Sequence, residues 1–194
     1  MSERPAGFWY VFVMDTRPNL VLVGFMGSGK SSVGRLAAAD LGLRFVDLDH
    51  EIEQREGATI TRIFETCGEE EFRRIESKVA TEVAERRGQV IATGGGIVLR
   101  PVNLERLGVA GVIVHLHVTP ECAWARARGH GHRPLVAGPD GEARLRELFA
   151  KRQPLYDAIP LSVEGSNRPP RAVAADVVRV YRRRVDAGGS GIRA

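Results

Sequence analysis

The octapeptide Gly24-Phe-Met-Gly-Ser-Gly-Lys-Ser31 satisfies the pattern GxxxxGK[ST] at every fixed position. Its glycines allow successive backbone N–H groups to surround a phosphate, Lys30 adds a fixed positive charge, and the Ser31 hydroxyl suits Mg²⁺. Gly27, Ser28, Gly29, Lys30, Ser31 and Ser32 are therefore expected to hold a nucleoside triphosphate. Asp47 and Asp49 alternate at what reads as the end of a second strand and so cannot share one face. That spacing suits one carboxylate for the Mg²⁺ shell and the other for a substrate hydroxyl whose proton it accepts; the alternative is that either caps the next helix. Gly94, Gly95 and Gly96 follow a third strand, where three glycines weaken the fold unless the backbone must approach something closely. A substrate lying against main-chain N–H groups is the expected reason, and a plain turn is the alternative.

Residues so far apart in the chain need a scaffold that gathers them. The apolar run at residues 20–23 reads as a strand entering the glycine loop, and a helix follows from Ser31 with Val33, Leu36, Ala37 and Leu41 on one face. Further strands are predicted at residues 45–46, 89–92, 112–118 and 161–163, and helices at 50–55, 60–64, 69–86, 142–152 and 172–184. Thr119-Pro120 supplies an N-cap and a first-turn proline for one more helix. Near-continuous apolar strands alternating with helices predict an α/β, three-layer fold, a parallel sheet covered on both faces with ligands at the carboxyl ends of its strands. Residues 128–140, rich in Gly, Pro and His, read as a mobile lid.

A chain of 194 residues with a formal net charge of +4 is of a size for one domain and suits anionic ligands without requiring nucleic acid. The domain is expected over residues 14–185, with residues 1–13 an N-terminal extension ahead of a natural start at Met14 and residues 186–194 a flexible tail. The apolar run at residues 6–14 has neither the flanks of a signal peptide nor the length of a membrane span. Cys67 and Cys122 are the only cysteines and have no CxxC spacing, which points away from a disulfide framework and toward the cytoplasm.

The blocks GFMGSGKSSVGR, FVDLDHEIE, IFETCGEEEFRRIES, VIATGGGIV, RPLV, KRQPLY and SNRPP, in that order over about residues 20–184, resemble the shikimate kinases. The resemblance implies a monomeric P-loop kinase that moves the γ-phosphoryl group of ATP, with Mg²⁺, to the 3-hydroxyl of shikimate in aromatic amino-acid biosynthesis. It implies that Arg73 and Arg152 clamp the substrate carboxylate, for which the planar guanidinium fork is suited. By the same match Asp49 holds the ring hydroxyls and the attacking one, Gly94, Gly95 and Gly96 line the substrate, Asp47 supports Mg²⁺ through water, and Glu76 orients Arg73 or the substrate. Arg133 of RPLV would reach the transferring phosphate, joining Lys30 and Asp49 as catalytic residues, while Arg126 and the loop at Asn167 and Arg168 would cradle adenine. His130 and His132 in the lid are not part of that pattern and read as solvated residues. Two other readings stand beside this one. A gluconate kinase shares the size and an acidic region like Asp49-His50, though not the triple glycine or GEEEFRR; a nucleotide-dependent switch would need no acceptor for turnover.

Overall fold

Five strands, β1 (Asn19–Val23), β2 (Arg44–Asp47), β3 (Gln89–Ala92), β4 (Gly111–His117) and β5 (Ser162–Glu164), pair in parallel in the order β2-β3-β1-β4-β5 in the computed structural model. The structure describes residues 15–128 and 140–189. The expected extension at residues 1–13, Met14, most of the lid with His130, His132 and Arg133, and residues 190–194 lie outside the described residues.

Side-chain alternation along these apolar strands builds a core on each face of the sheet. Val21, Val23, Val46 and Ile91 point to the face covered by α2 (Leu48–Glu56), α3 (Ile60–Ala84), α4 (Pro101–Ala110), α5 (Pro120–Ala127) and α6 (Gly141–Asp157). Leu20, Leu22, Val90, Val114 and Leu116 point to the other, under α1 (Lys30–Leu41) and α7 (Pro170–Gly189). This is the expected three-layer α/β arrangement. Among the described residues no helix is long and apolar enough to cross a membrane.

The strand order fixes where ligands can bind. The chain leaves β1 over one face toward β2 and leaves β3 over the other toward β4, so the connections diverge between β1 and β3, the position where such sheets open a crevice. The register places Leu22 and Asp47 on either side of Ala92, and both the N–H and the hydroxyl of Thr93 donate to the Leu22 carbonyl, at 3.1 and 3.0 Å. The glycine loop, the Asp47 region and the triple glycine thereby emerge side by side.

The segments expected at 60–64 and 69–86 are the two helical parts of α3, which meet at Gly68, whose φ of 79° and ψ of 171° are not helical. Other elements differ from the sequence expectation. A 3₁₀ turn (Ile97–Leu99) and α4 were not expected; their signal is Pro101 at the first helical turn, with Leu104 and Leu107 on one face. Helix α6 continues to Asp157 through Pro154, because Leu145, Phe149, Arg152 and Tyr156 bury a single face whose packing outweighs the lost backbone bond. Helix α7 reaches Gly189, into the stretch expected as tail.

His115, in the middle of β4, is 5% exposed and stacks on Tyr156 with ring centroids 5.2 Å apart and planes 11° apart. Burial, and then the neighbouring His117, push its pKa down to about 4. The folded state therefore keeps His115 neutral while the unfolded chain takes up a proton below about pH 6.5, so stability is lost as the pH falls from there toward 4. At pH 5 the loss from this residue is about 2 kcal/mol. In urea titrations at pH 7 and pH 5, His115→Phe, which keeps the stack, should lose about that much less stability than the parent.

Candidate active site

The glycine loop after β1 is built by contacts that exclude side chains. Gly27 has φ 76°, and a Cβ there would lie 2.8 Å from the Ala123 carbonyl of α5. Gly29, at φ 92°, precedes α1 and offers no capping side chain, which leaves the first N–H groups and the positive end of the helix dipole to an anion. Lys30, 9% exposed, folds back so that Nζ donates to the carbonyls of Gly24 (2.7 Å) and Phe25 (3.0 Å). Ser28 is buried in the same loop, and Phe25 anchors its start edge-on against Phe149 at 5.1 Å.

Ser31 and Asp47, sixteen residues apart, meet: the Ser31 hydroxyl donates to Asp47 Oδ2 at 2.6 Å. The other oxygen, Oδ1, caps α2 by accepting from the Asp49 N–H at 3.2 Å. The cap alternative for Asp47 is realised by one oxygen, while the other is held by Ser31. The expected geometry of the pair needs correcting. Asp47 ends β2, but Asp49 lies in the first turn of α2, so what separates their directions is the passage from strand to helix and not alternation along a strand. Burial and the adjacent Asp47 charge, with Glu76 and Glu53 adding, push the Asp49 carboxyl up to about 6 against the pull of Lys30. Among the described residues no cluster of three or more His, Cys, Asp or Glu forms a complete protein cage for a metal. The Ser31 hydroxyl and the Asp47 carboxylate fit Mg²⁺ in another way, because that ion commonly takes one or two protein oxygens and completes its shell with water and phosphate.

At the end of β3 the triple glycine meets charged side chains. A Cβ on Gly94 would lie 2.7 Å from Asp49 Oδ1 and 2.8 Å from Glu76 Oε1, and one on Gly96 would overlap the Arg73 guanidinium. None of the three has positive φ, so their role is clearance and not an unusual turn. The expectation that they exist to expose N–H groups is therefore incomplete, for the close neighbours are the side chains expected to handle substrate.

Arg73 and Glu76 form an ion pair at 2.8 Å with side chains only 7% and 1% exposed. Arg73 also reaches Glu69 at 3.1 Å and lies over the Phe72 ring. Burial raises the Glu76 pKa, while Arg73, Arg152 and Arg100 pull it back. Its second oxygen, Oε1, is buried with no hydrogen-bond partner among the described residues. Arg152, 6% exposed, reaches across from α6 to the Gly95 carbonyl. Asp49, Arg73, Glu76 and Arg152 are thereby gathered around one turn beside the phosphate loop.

The expected adenine residues lie at the far side of that loop. Arg126 donates to the Gly27 carbonyl (3.0 Å) and to the Gly165 carbonyl (2.9 Å), tying the phosphate loop to the turn after β5. Arg168 donates to the Glu164 carbonyl and to Asp176 of α7, both at 2.8 Å, so it braces its own turn. Asn167 is the one non-glycine residue with positive φ among those described, at 50°. Sequence reasoning missed the His117 and Glu164 side chains, paired at 2.6 Å at the base of this turn, and Tyr156, which donates to the Gly95 carbonyl. Tyr156 was legible in principle: it stands four residues after Arg152 and so shares its helical face.

The family model described as shikimate kinase matches residues 26–182. The chain belongs to the shikimate kinase family. It is 45% identical over 173 residues to a shikimate kinase of Symbiobacterium thermophilum, spanning 88% of this chain and 99% of the relative. The structure of a shikimate kinase from Acinetobacter baumannii in complex with shikimate superposes with a TM-score of 0.82 at 37% identity, covering 92% of this chain and 97% of the other. A gluconokinase from Sinorhizobium meliloti 1021 covers 92% of this chain and 99% of its own with a TM-score of 0.60, but at 17% identity that likeness concerns the fold alone.

The buried pair makes a sharp demand on stability, since removing one partner strands the other charge away from water. Glu76→Leu should cost about 3 kcal/mol in urea unfolding, and adding Arg73→Met to that variant should restore most of the loss.

Proposed function

We propose that the protein transfers the γ-phosphoryl group of ATP to the 3-hydroxyl of shikimate, releasing ADP and shikimate 3-phosphate. The observation that carries this reading is the convergence of Arg73, Arg152, Glu76 and Asp49 on the triple glycine at the switch point, beside a complete phosphate loop. Two buried guanidinium groups suit a carboxylate, which they can meet with parallel hydrogen bonds. The Glu76 oxygen without a partner is suited to accept a bond from a substrate hydroxyl.

Asp49 then has the work of orienting the nucleophilic hydroxyl and accepting its proton. A carboxyl with its pKa raised to about 6 suits this better than an ordinary one, because a base works best when its pKa approaches the working pH. Lys30 and the N–H groups ahead of α1 compensate charge on the phosphates, and Arg126 fixes the loop against the turn expected at adenine. Ser31 and Asp47 would hold Mg²⁺, which when bound neutralises phosphate charge. On this assignment catalysis consists mainly of alignment and electrostatic preorganisation.

A coupled assay of ADP release with shikimate, quinate or gluconate tests the reading. Turnover should depend on shikimate and be far weaker with the other two; release independent of any acid would favour a switch, and preference for gluconate would favour the other kinase. Arg73→Lys and Arg152→Lys should each raise the KM for shikimate at least several-fold with the KM for ATP little changed, since Lys keeps the charge and loses the fork. Asp49→Asn should fold normally and lower kcat by about 10²–10⁴-fold.

A further inference from the structure

The Gly95 carbonyl lies within reach of two donors from α6. Arg152 Nη1 stands 3.4 Å away, at the long limit of a hydrogen bond, while the Tyr156 hydroxyl donates to the same oxygen at closer range. A guanidinium beside a half-sheltered carbonyl is drawn to it, because hydrogen bonds from charged donors are the stronger kind. A carbonyl oxygen has two lone pairs and holds both donors at once, so Gly95 fixes where the guanidinium sits and leaves its other N–H groups for a substrate anion. The turn cannot easily rotate away, since Gly95 is wedged against the phosphate loop, its Cβ position 3.3 Å from the Met26 nitrogen.

We propose that Tyr156 is a positioning residue for the acid substrate: anchored on the Gly95 carbonyl that Arg152 also reaches, its hydroxyl holds that turn and the neighbouring Arg152 guanidinium in the place where the guanidinium meets the substrate carboxylate. This rests on the reading of Arg152 as a carboxylate anchor. Tyr156 is built for the task, being 2% exposed and held by its stack on His115. Burial also pushes the pKa of its hydroxyl up, so the group remains a donor throughout the neutral range.

Tyr156→Phe keeps the ring and removes the hydroxyl. The KM for shikimate should rise about tenfold while the KM for ATP stays within about twofold. Selection for the carboxylate, measured as kcat/KM for shikimate over that for its methyl ester, should fall by a similar factor, because Arg152 is no longer held where it meets the anion. In an Arg152→Met background the tyrosine change should matter little. Tyr156→Met, which also lacks the hydroxyl, should show the same split and serves if the phenylalanine variant fails to fold. Equal losses for acid and ester, parallel losses for ATP and shikimate with a lowered Tm, or unchanged kinetics would each overturn the proposal while leaving the kinase reading intact. A parent enzyme without shikimate-dependent ADP release would overturn both.

Discussion

Charge kept out of water is the constraint around which the acceptor side of this molecule is organised. Arg73 and Glu76 sit inside the protein as partners, Glu69 being a second partner of Arg73 and Arg152 and Arg100 adding positive charge near Glu76. Such a pair gives little net stability for its desolvation, and its position against the triple glycine accords with the proposed role as preorganisation for a charged substrate. The surroundings follow from it. Gly96 yields volume to the guanidinium, Gly94 yields volume to Glu76 and Asp49, and Phe72 lies beneath the cationic plane. The same crowding of acids around Asp49 raises its proton affinity, while Lys30 limits the rise.

The phosphate side depends on backbone instead. Its anion-binding capacity comes from the loop conformation and the N-terminus of α1, held by Arg126 between two carbonyls that belong to different connections. One half of the site is thus made of side-chain charges in a dry setting and the other of peptide dipoles at the edge of a sheet. They meet where β1 and β3 send their chains to opposite faces.

Most of the scaffold could be read from the chain, because buried parallel strands are apolar on both faces and leave little ambiguity in runs such as residues 20–23 and 89–92. Helix α4 escaped because its polar residues mask a short apolar stripe, and α6 was cut short because Pro154 ordinarily ends a helix. The candidate site residues that the structure brings together were legible where they carry a motif, as in GFMGSGKS, the triple glycine and GEEEFRR. What the sequence could not convey is which atoms share a neighbour. That one Asp47 oxygen caps α2 while the other meets Ser31, and that Tyr156 and Arg152 converge on one carbonyl, are products of tertiary contact.

The bend in α3 has a mechanical meaning. At Gly68 the helical hydrogen-bond ladder is interrupted, so the part of α3 before it and the part carrying Arg73 are two levers on a shared pivot and not a single rod. Backbone rigidity does not carry displacement across that pivot. What spans it is an aromatic pad, Phe64 against Phe72 with ring centroids 4.5 Å apart, with the Arg73 guanidinium 5.9 Å from the Phe64 ring. Any mechanical coupling between the outer lever and the buried arginine therefore runs through side-chain packing and not through a continuous backbone ladder.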